Sequence, residues 1–168
     1  MYYFSYGSNM LRERLAGRVG DTGYLGAAHL SGFHLAFSKR SADGSGKCTL
    51  IKSDYAPGVW GVVFELTDDQ KLLLDGFEGE GYAVAAVRPV VAELGVEAYT
   101  YIARQPSPDP ALRPYTWYKE LVLAGALQAG LPVDHVGRIR SVSSVEDTDC
   151  GRALENRGLL SAGDKEMA

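Results

Sequence analysis

Met1-Tyr2-Tyr3-Phe4-Ser5-Tyr6-Gly7-Ser8-Asn9-Met10-Leu11 opens the chain. The apolar run to Phe4 reads as a short strand, and Met10, Leu11 and Leu15 recur at helical spacing. A glycine turn must join the two. Gly7 tolerates dihedrals that other residues avoid, and Asn9 is placed to cap the helix that follows. Such a turn leaves backbone N–H groups free to hold an oxyanion or a carboxylate. Taken alone, a strand, a glycine turn and a helix are also ordinary structural punctuation. A second element raises the stakes: Leu74-Asp75-Gly76-Phe77-Glu78-Gly79-Glu80-Gly81-Tyr82 puts carboxylates in a glycine-rich bend. Together the two predict an acid/base site facing an anion hole.

Composition narrows the classes of partner. With 168 residues and 46% hydrophobic content, the chain suits one domain with a substantial core. A net charge of -4 and the lack of any Lys/Arg run argue against nucleic acid or an anionic membrane as partner. A small neutral or zwitterionic ligand fits better. Cys48 and Cys150 stand far apart and form no metal-type pair, so they read as reduced thiols of a cytoplasmic protein. Neither an export signal nor a membrane segment is expected from the opening residues.

Strands are expected over the first two thirds and helices over the last. Tyr24 to Ser38, broken at Ser31-Gly32, reads as two strands or one bent strand. Asp43-Gly44-Ser45-Gly46 reads as a loop and Cys48 to Ile51 as a short strand. Val59 to Leu66 is almost continuously apolar, as in a central strand covered on both faces. Thr67 and Gln70 have capping-box spacing, which predicts a short helix through Leu74 that Asp75-Gly76 ends. Tyr82 to Val91 and Val96 to Ala103 read as paired strands reversing at Glu93-Leu94-Gly95. Pro106, Pro108, Pro110 and Pro114 mark an irregular link. Beyond it a helix is expected over Tyr115 to Ala129, with Trp117, Leu121, Ala124 and Gln128 on one face and Gly130 and Pro132 stopping it. A second short helix fits Val133 to Arg140. This gives an α+β fold, a mixed sheet or barrel-like core with short helices. One domain spans 1–140, and 141–168 forms a packed arm or frayed tail.

The two elements, in order with Val59-Trp60-Gly61-Val62-Val63-Phe64, Trp117-Tyr118-Lys119 and Gly130-Leu131-Pro132, resemble the γ-glutamyl cyclotransferase family over roughly Tyr2 to Ile139. The resemblance implies a mixed α/β barrel-like fold that cyclises γ-glutamyl amino acids or amines to 5-oxoproline and releases the amine. It implies Glu78 in the Phe-Glu-Gly context as the catalytic glutamate. It implies Tyr6, Gly7, Ser8 and Asn9 as the γ-glutamyl pocket, with Tyr82 and Tyr118 as aromatic residues beside it. Many bacterial relatives place two basic residues after the tyrosine, whereas this chain has Ala83-Val84.

The chemistry explains these residue types. A γ-glutamyl amide carries its own nucleophile, the α-amine, which closes a five-membered ring on the γ-carbonyl. That amine is mostly protonated near neutral pH, with a reference pKa of about 8, so a base must take a proton and an acid must deliver one to the departing nitrogen. One carboxyl group can do both, and partial burial beside Phe77 would favour Glu78 in that role. On the residues alone Glu80 competes with Glu78, since both precede a glycine, while Asp75 reads as a helix-end residue. Ser8 lacks a visible His/Asp partner and reads as a donor rather than a nucleophile. His29 and His34 in strand-like segments and His135 in an exposed helical stretch read as structural. No cofactor and no metal are expected. The partner is a small γ-glutamyl substrate, with a homodimer left open. A γ-glutamyl amide hydrolase and a non-catalytic binding module on the same fold remain alternatives.

Overall fold

The apolar opening run forms β1 (Tyr2–Ser5), and the computed structural model describes the chain over residues 1–104 and 109–163, with side chains to 160. Pro106 and Pro108 lie outside the described residues. A single 3-10 turn, Ser8–Met10, links β1 to α1 (Arg12–Val19). Then come β2 (Gly23–Leu30), β3 (Phe33–Arg40), β4 (Gly46–Lys52) and β5 (Val59–Glu65). After α2 (Asp68–Glu78) the chain forms β6 (Tyr82–Val87), β7 (Val90–Val91), β8 (Leu94–Gly95) and β9 (Ala98–Ala103). Three helices finish it: α3 (Thr116–Gln128), α4 (Val133–Ser141) and α5 (Cys150–Gly163).

The seven-stranded sheet has the order β6-β9-β1-β5-β2-β7-β8, and β3 and β4 pair separately as a hairpin. This sheet must curl. Val87 ends β6 and Val90 begins β7, and three Cα steps span at most about 11 Å. In a flat sheet their five intervening strand spacings would total about 24 Å. The short connection therefore forces the half-barrel curvature, and the fold is the α+β, barrel-like type expected. β5 lies fourth in the order, with Gly61, Val62, Val63 and Phe64 all buried in succession, as its unbroken apolar run requires.

Local signals account for most elements. The capping box is complete: Gln70 N–H donates to Thr67 Oγ1 at 3.2 Å, and Thr67 N–H donates to Gln70 Oε1 at 3.0 Å. The helix it starts does not stop at Asp75-Gly76, however. It runs on to Glu78 and ends at Gly79, whose φ of 66° suits glycine and whose N–H donates to Asp75 O. Asp75 sits inside α2, held by Lys71 at 2.7 Å and by the Tyr101 hydroxyl at 2.6 Å. The reversal between β6 and β9 is also more elaborate than a turn. Those strands pair from Tyr82↔Ala103 to Val87↔Ala98, while β7 and β8 form a side hairpin that joins β2 through His29↔Val90.

The buried stripe of α3 differs in part from the expected face. Trp117, Tyr118, Leu121, Val122, Gly125 and Ala126 point inward, while Ala124 and Gln128 are partly exposed. His135 is buried, contrary to expectation, because α4 turns it inward with Val136 and Ile139. Burial, with Arg138 and His29 nearby, pushes its imidazole down to about 4, so it is neutral near pH 7. Past Ser141, Asp147 is buried and accepts from Trp117 Nε1 at 2.8 Å and from Arg152 at 2.6 Å and 2.7 Å. This ties α5 to the start of α3. No described helix is long and apolar enough to cross a membrane.

Gly125 lets α3 press against the first turn. A Cβ there would lie 2.4 Å from Leu11 N and 2.7 Å from Met10 C, closer than any real contact. Gly125→Ala should therefore destabilise the fold by about 2 kcal/mol or more through overpacking. Thermal unfolding of the variant beside the parent protein measures it.

Candidate active site

The 3-10 turn at Ser8–Met10 is where β1 hands over to α1, and the reasons for its residues differ from those the sequence suggested. Gly7 has a φ of -118° and a ψ of -149°, off the usual extended region though not at a positive φ. It also needs room, since a Cβ would lie 3.2 Å from Cys48 Cβ and 3.4 Å from the Tyr118 hydroxyl. Nor does Asn9 cap α1, whose N-cap is Leu11. Its side chain is turned the other way. Asn9 Nδ2 donates to Glu78 Oε1 at 3.0 Å and to the Tyr3 hydroxyl at 3.2 Å, while Asn9 Oδ1 accepts from Arg18 Nη1 at 3.0 Å. The N–H groups of Ser8 and Asn9 fall in the first turn, where no intrahelical acceptor exists.

Glu78 is the last residue of α2, so the helix aims its carboxylate at that turn. A helix C-terminus disfavours an anion, and Arg18 Nη1 offsets this by donating to Glu78 Oε1 at 3.1 Å. Arg18 reaches it because α1 packs beside α2. The Glu78 side chain is 15% exposed, partly buried as expected, although Phe77 itself is 55% exposed, with its ring 5.2 Å from the Arg18 guanidinium. Glu80 is exposed and stands outside the cavity.

Tyr6, Gly7, Ser8, Asn9, Glu78, Tyr82 and Tyr118 all line one cavity of about 170 Å³. At about 30 Å³ per water, that is room for a small amino-acid derivative. The tyrosine hydroxyls, though, are largely committed to the scaffold. Tyr6 donates to the Tyr101 carbonyl, Tyr82 donates to Cys48 O at 2.7 Å, and Tyr118 accepts from Cys48 N–H at 3.1 Å. Tyr6 thus joins the end of β1 to β9, while Tyr82 and Tyr118 fasten β4 to β6 and to α3. Burial pushes all three phenols well above their usual range, so each stays protonated.

Sequence reading missed the cations. Arg14, Arg18, Lys39 and Lys47 line the cavity beside the carboxylate of Glu78. Arg14 donates to Ser8 Oγ at 2.9 Å and to Asn156 Oδ1 of α5 at 3.0 Å. Burial and the nearby Arg18 lower its affinity for the proton. Lys47 pairs with Asp43 at 2.9 Å, and its ammonium sits 4.6 Å from the ring centres of Trp117 and Tyr118. The available signal was the four-residue spacing of Arg14 and Arg18, which puts both on one face of α1 just after the turn. Among the described residues no group of three or more His, Cys, Asp or Glu could hold a metal ion.

Known proteins resemble this chain in sequence and in fold. The AIG2-like family model matches residues 58–139. The γ-glutamylcyclotransferase of Bos taurus is 30% identical over 146 residues, covering 83% of this chain and 77% of the relative. The Homo sapiens γ-glutamylcyclotransferase is 30% identical over 156 residues with the same coverage. The chain belongs to the γ-glutamylcyclotransferase-like family. Within this family, a solved γ-glutamyl cyclotransferase superposes with a TM-score of 0.79 at 27% identity, over 88% of this chain and 90% of that one.

Cys48 lines the cavity too, but burial, with the charge of Glu78 adding to it, pushes its thiol up to about 12. Such a thiol carries almost no thiolate near neutral pH. Iodoacetamide at mildly alkaline pH should label the exposed Cys150 and spare Cys48 until the chain is unfolded. Peptide mass spectrometry reads both sites, and rapid native labelling of Cys48 would show an open cavity floor.

Proposed function

We propose that this chain is a γ-glutamyl cyclotransferase that converts a γ-glutamyl amino acid or amine to 5-oxoproline and the free amine. The observation that carries this reading is the Glu78 carboxylate held 3.0 Å from Asn9 across a cavity floored by the Tyr6 to Asn9 turn. A proton-transfer group and the first-turn residues that can offer N–H donors then line the same small space.

In this scheme the α-carboxylate or the developing oxyanion of the γ-glutamyl group rests on the N–H groups of the turn. Glu78 takes a proton from the α-ammonium, and the free amine attacks the γ-carbonyl, forming the ring C–N bond. Collapse breaks the bond to the leaving nitrogen. The ammonium starts with three protons and the lactam keeps one, so two pass through the site to the leaving group. The product amine departs as an ammonium and Glu78 is again a carboxylate, with no net proton consumed. Arg18 and Asn9 fix the carboxylate oxygen so that this relay needs no side-chain search. No serine or cysteine nucleophile enters, in keeping with a Cys48 thiol held in its protonated form.

Glu78→Gln keeps the shape and removes the relay, so turnover should fall by about a hundredfold to ten-thousandfold with little change in thermal stability. Glu80→Gln should stay close to the parent rate. Assays of 5-oxoproline release settle both, and a dead Glu80→Gln beside an active Glu78→Gln would refute the assignment.

Ring closure also sets which substrates react. An α-amine on a γ-glutamyl amide closes a five-membered ring, while on an α-glutamyl peptide it would have to close a three-membered one. We therefore expect 5-oxoproline from γ-glutamyl substrates, no reaction with α-glutamyl dipeptides, and full block by N-acetylation of the α-amine. Mass spectrometry of the products decides it. Release of N-acetylglutamate would make water the nucleophile and the protein a hydrolase.

A further inference from the structure

The cavity holds more positive charge than its own residues neutralise. Arg18 is paired with Glu78 at 3.1 Å and Lys47 with Asp43 at 2.9 Å. Arg14 bonds only uncharged oxygens, those of Ser8 and Asn156. Lys39 has no carboxylate partner among the described residues, and its ammonium lies 4.7 Å from the Tyr82 ring centre. Burial depresses its proton affinity, opposed by the fields of Glu78 and Asp43. An ammonium in a partly desolvated cavity without a counter-ion is costly unless a ligand supplies one.

Lys39 reaches from β3 to the bend between α2 and β6. Its stem lies against the bend after α2, where a Cβ on Gly81 would come within 2.8 Å of Lys39 Cε and Nζ. Any larger residue at 81 would displace the ammonium. Lys39 and Arg14 also belong to different walls. Arg14 stands on Ser8 in the first turn, whereas Lys39 comes from β3 and sits over Tyr82, which is fastened to β4 through Cys48 O. A γ-glutamyl group brings one carboxylate, and the turn with Arg14 suits it. The second unneutralised cation then meets what lies beyond the scissile amide.

Resting on the cyclotransferase reading above, we infer that Lys39 recognises an anionic group on the leaving amine, so that the cavity selects γ-glutamyl amides whose leaving group carries a carboxylate. In an amino-acid leaving group that carboxylate is on the carbon next to the departing nitrogen, close enough for both to occupy the cavity. A lysine suits this task, because its flexible stem lets a point charge follow leaving groups of different side chain.

The test compares γ-glutamylalanine with γ-glutamylethylamine, whose leaving groups differ by the carboxylate alone. Lys39→Met keeps the apolar stem and removes the charge. We expect it to lower kcat/KM for γ-glutamylalanine by about ten- to a hundredfold, chiefly through KM, while γ-glutamylethylamine changes by less than about twofold. Lys39→Arg should restore most of the loss. Equal losses on both substrates would make Lys39 a structural residue, and no loss on either would place the leaving group elsewhere; each overturns the inference while cyclotransfer stands. If the parent protein releases no 5-oxoproline from either substrate, the cyclotransferase reading fails and the inference falls with it.

Discussion

One carboxylate oxygen, Glu78 Oε1, receives an amide hydrogen from Asn9 at 3.0 Å and a guanidinium hydrogen from Arg18 at 3.1 Å. The turn after β1 and the helix that follows it meet at that atom with the last residue of α2, 60 to 69 residues further along the chain. Arg18 also bonds Asn9 at 3.0 Å, so the three groups form a closed triangle in which each fixes the other two. Its cost is the burial of a charge pair at the end of a helix whose dipole disfavours an anion, and hydrogen bonds to every member offset that cost. Asn9 is committed to this triangle and to the Tyr3 hydroxyl, which explains why it gives nothing to capping α1.

The rest of the fold can be understood as what holds the triangle's surroundings rigid. Strand pairing sets β9 beside β1 and β6 beside β9, and the β3–β4 hairpin is pinned to them by Tyr82 on Cys48 O and by Ala103 N–H on Thr49 Oγ1 at 3.0 Å. On the opposite side α3 backs the turn through Gly125. The segment beyond Ser141 takes part as well. Asp147, buried between Trp117 and Arg152, docks α5, and Asn156 of α5 then bonds Arg14 behind Ser8. Residues near both ends of the chain thus share one wall.

Charge gives the cavity its character. The chain as a whole carries -4, yet the cavity concentrates Arg14, Arg18, Lys39 and Lys47 around Glu78, the one lining carboxylate among the described residues. Net charge describes the surface average and says nothing about a small concave site, where field lines are focused by low-dielectric walls. The acidic balance of the sequence argued against polyanionic partners, and it is compatible with a small cavity lined by cations.

Local signals in the chain were sufficient for most elements. The Thr67 and Gln70 capping box, the unbroken apolar run of β5, the break at Ser31-Gly32 and the stop at Gly130 each act through bonds or packing within a few residues, so spacing alone reveals them. The glycine turn and the Phe-Glu-Gly bend are each visible locally, but only the family resemblance singled out Glu78 over Glu80. Other features depend on partners far away in sequence. Whether Asp75-Gly76 ends α2 hinged on Lys71 and Tyr101 holding Asp75 in the helix, and whether Asn9 caps α1 hinged on Glu78, 69 residues on. Arg14, Lys39 and Lys47 look like surface charges until the curled sheet and the hairpin enclose them. Propensity and capping are short-range and written in neighbouring residues; enclosure and charge pairing arise from which distant segments come to share a wall, which the folding of the whole chain alone establishes.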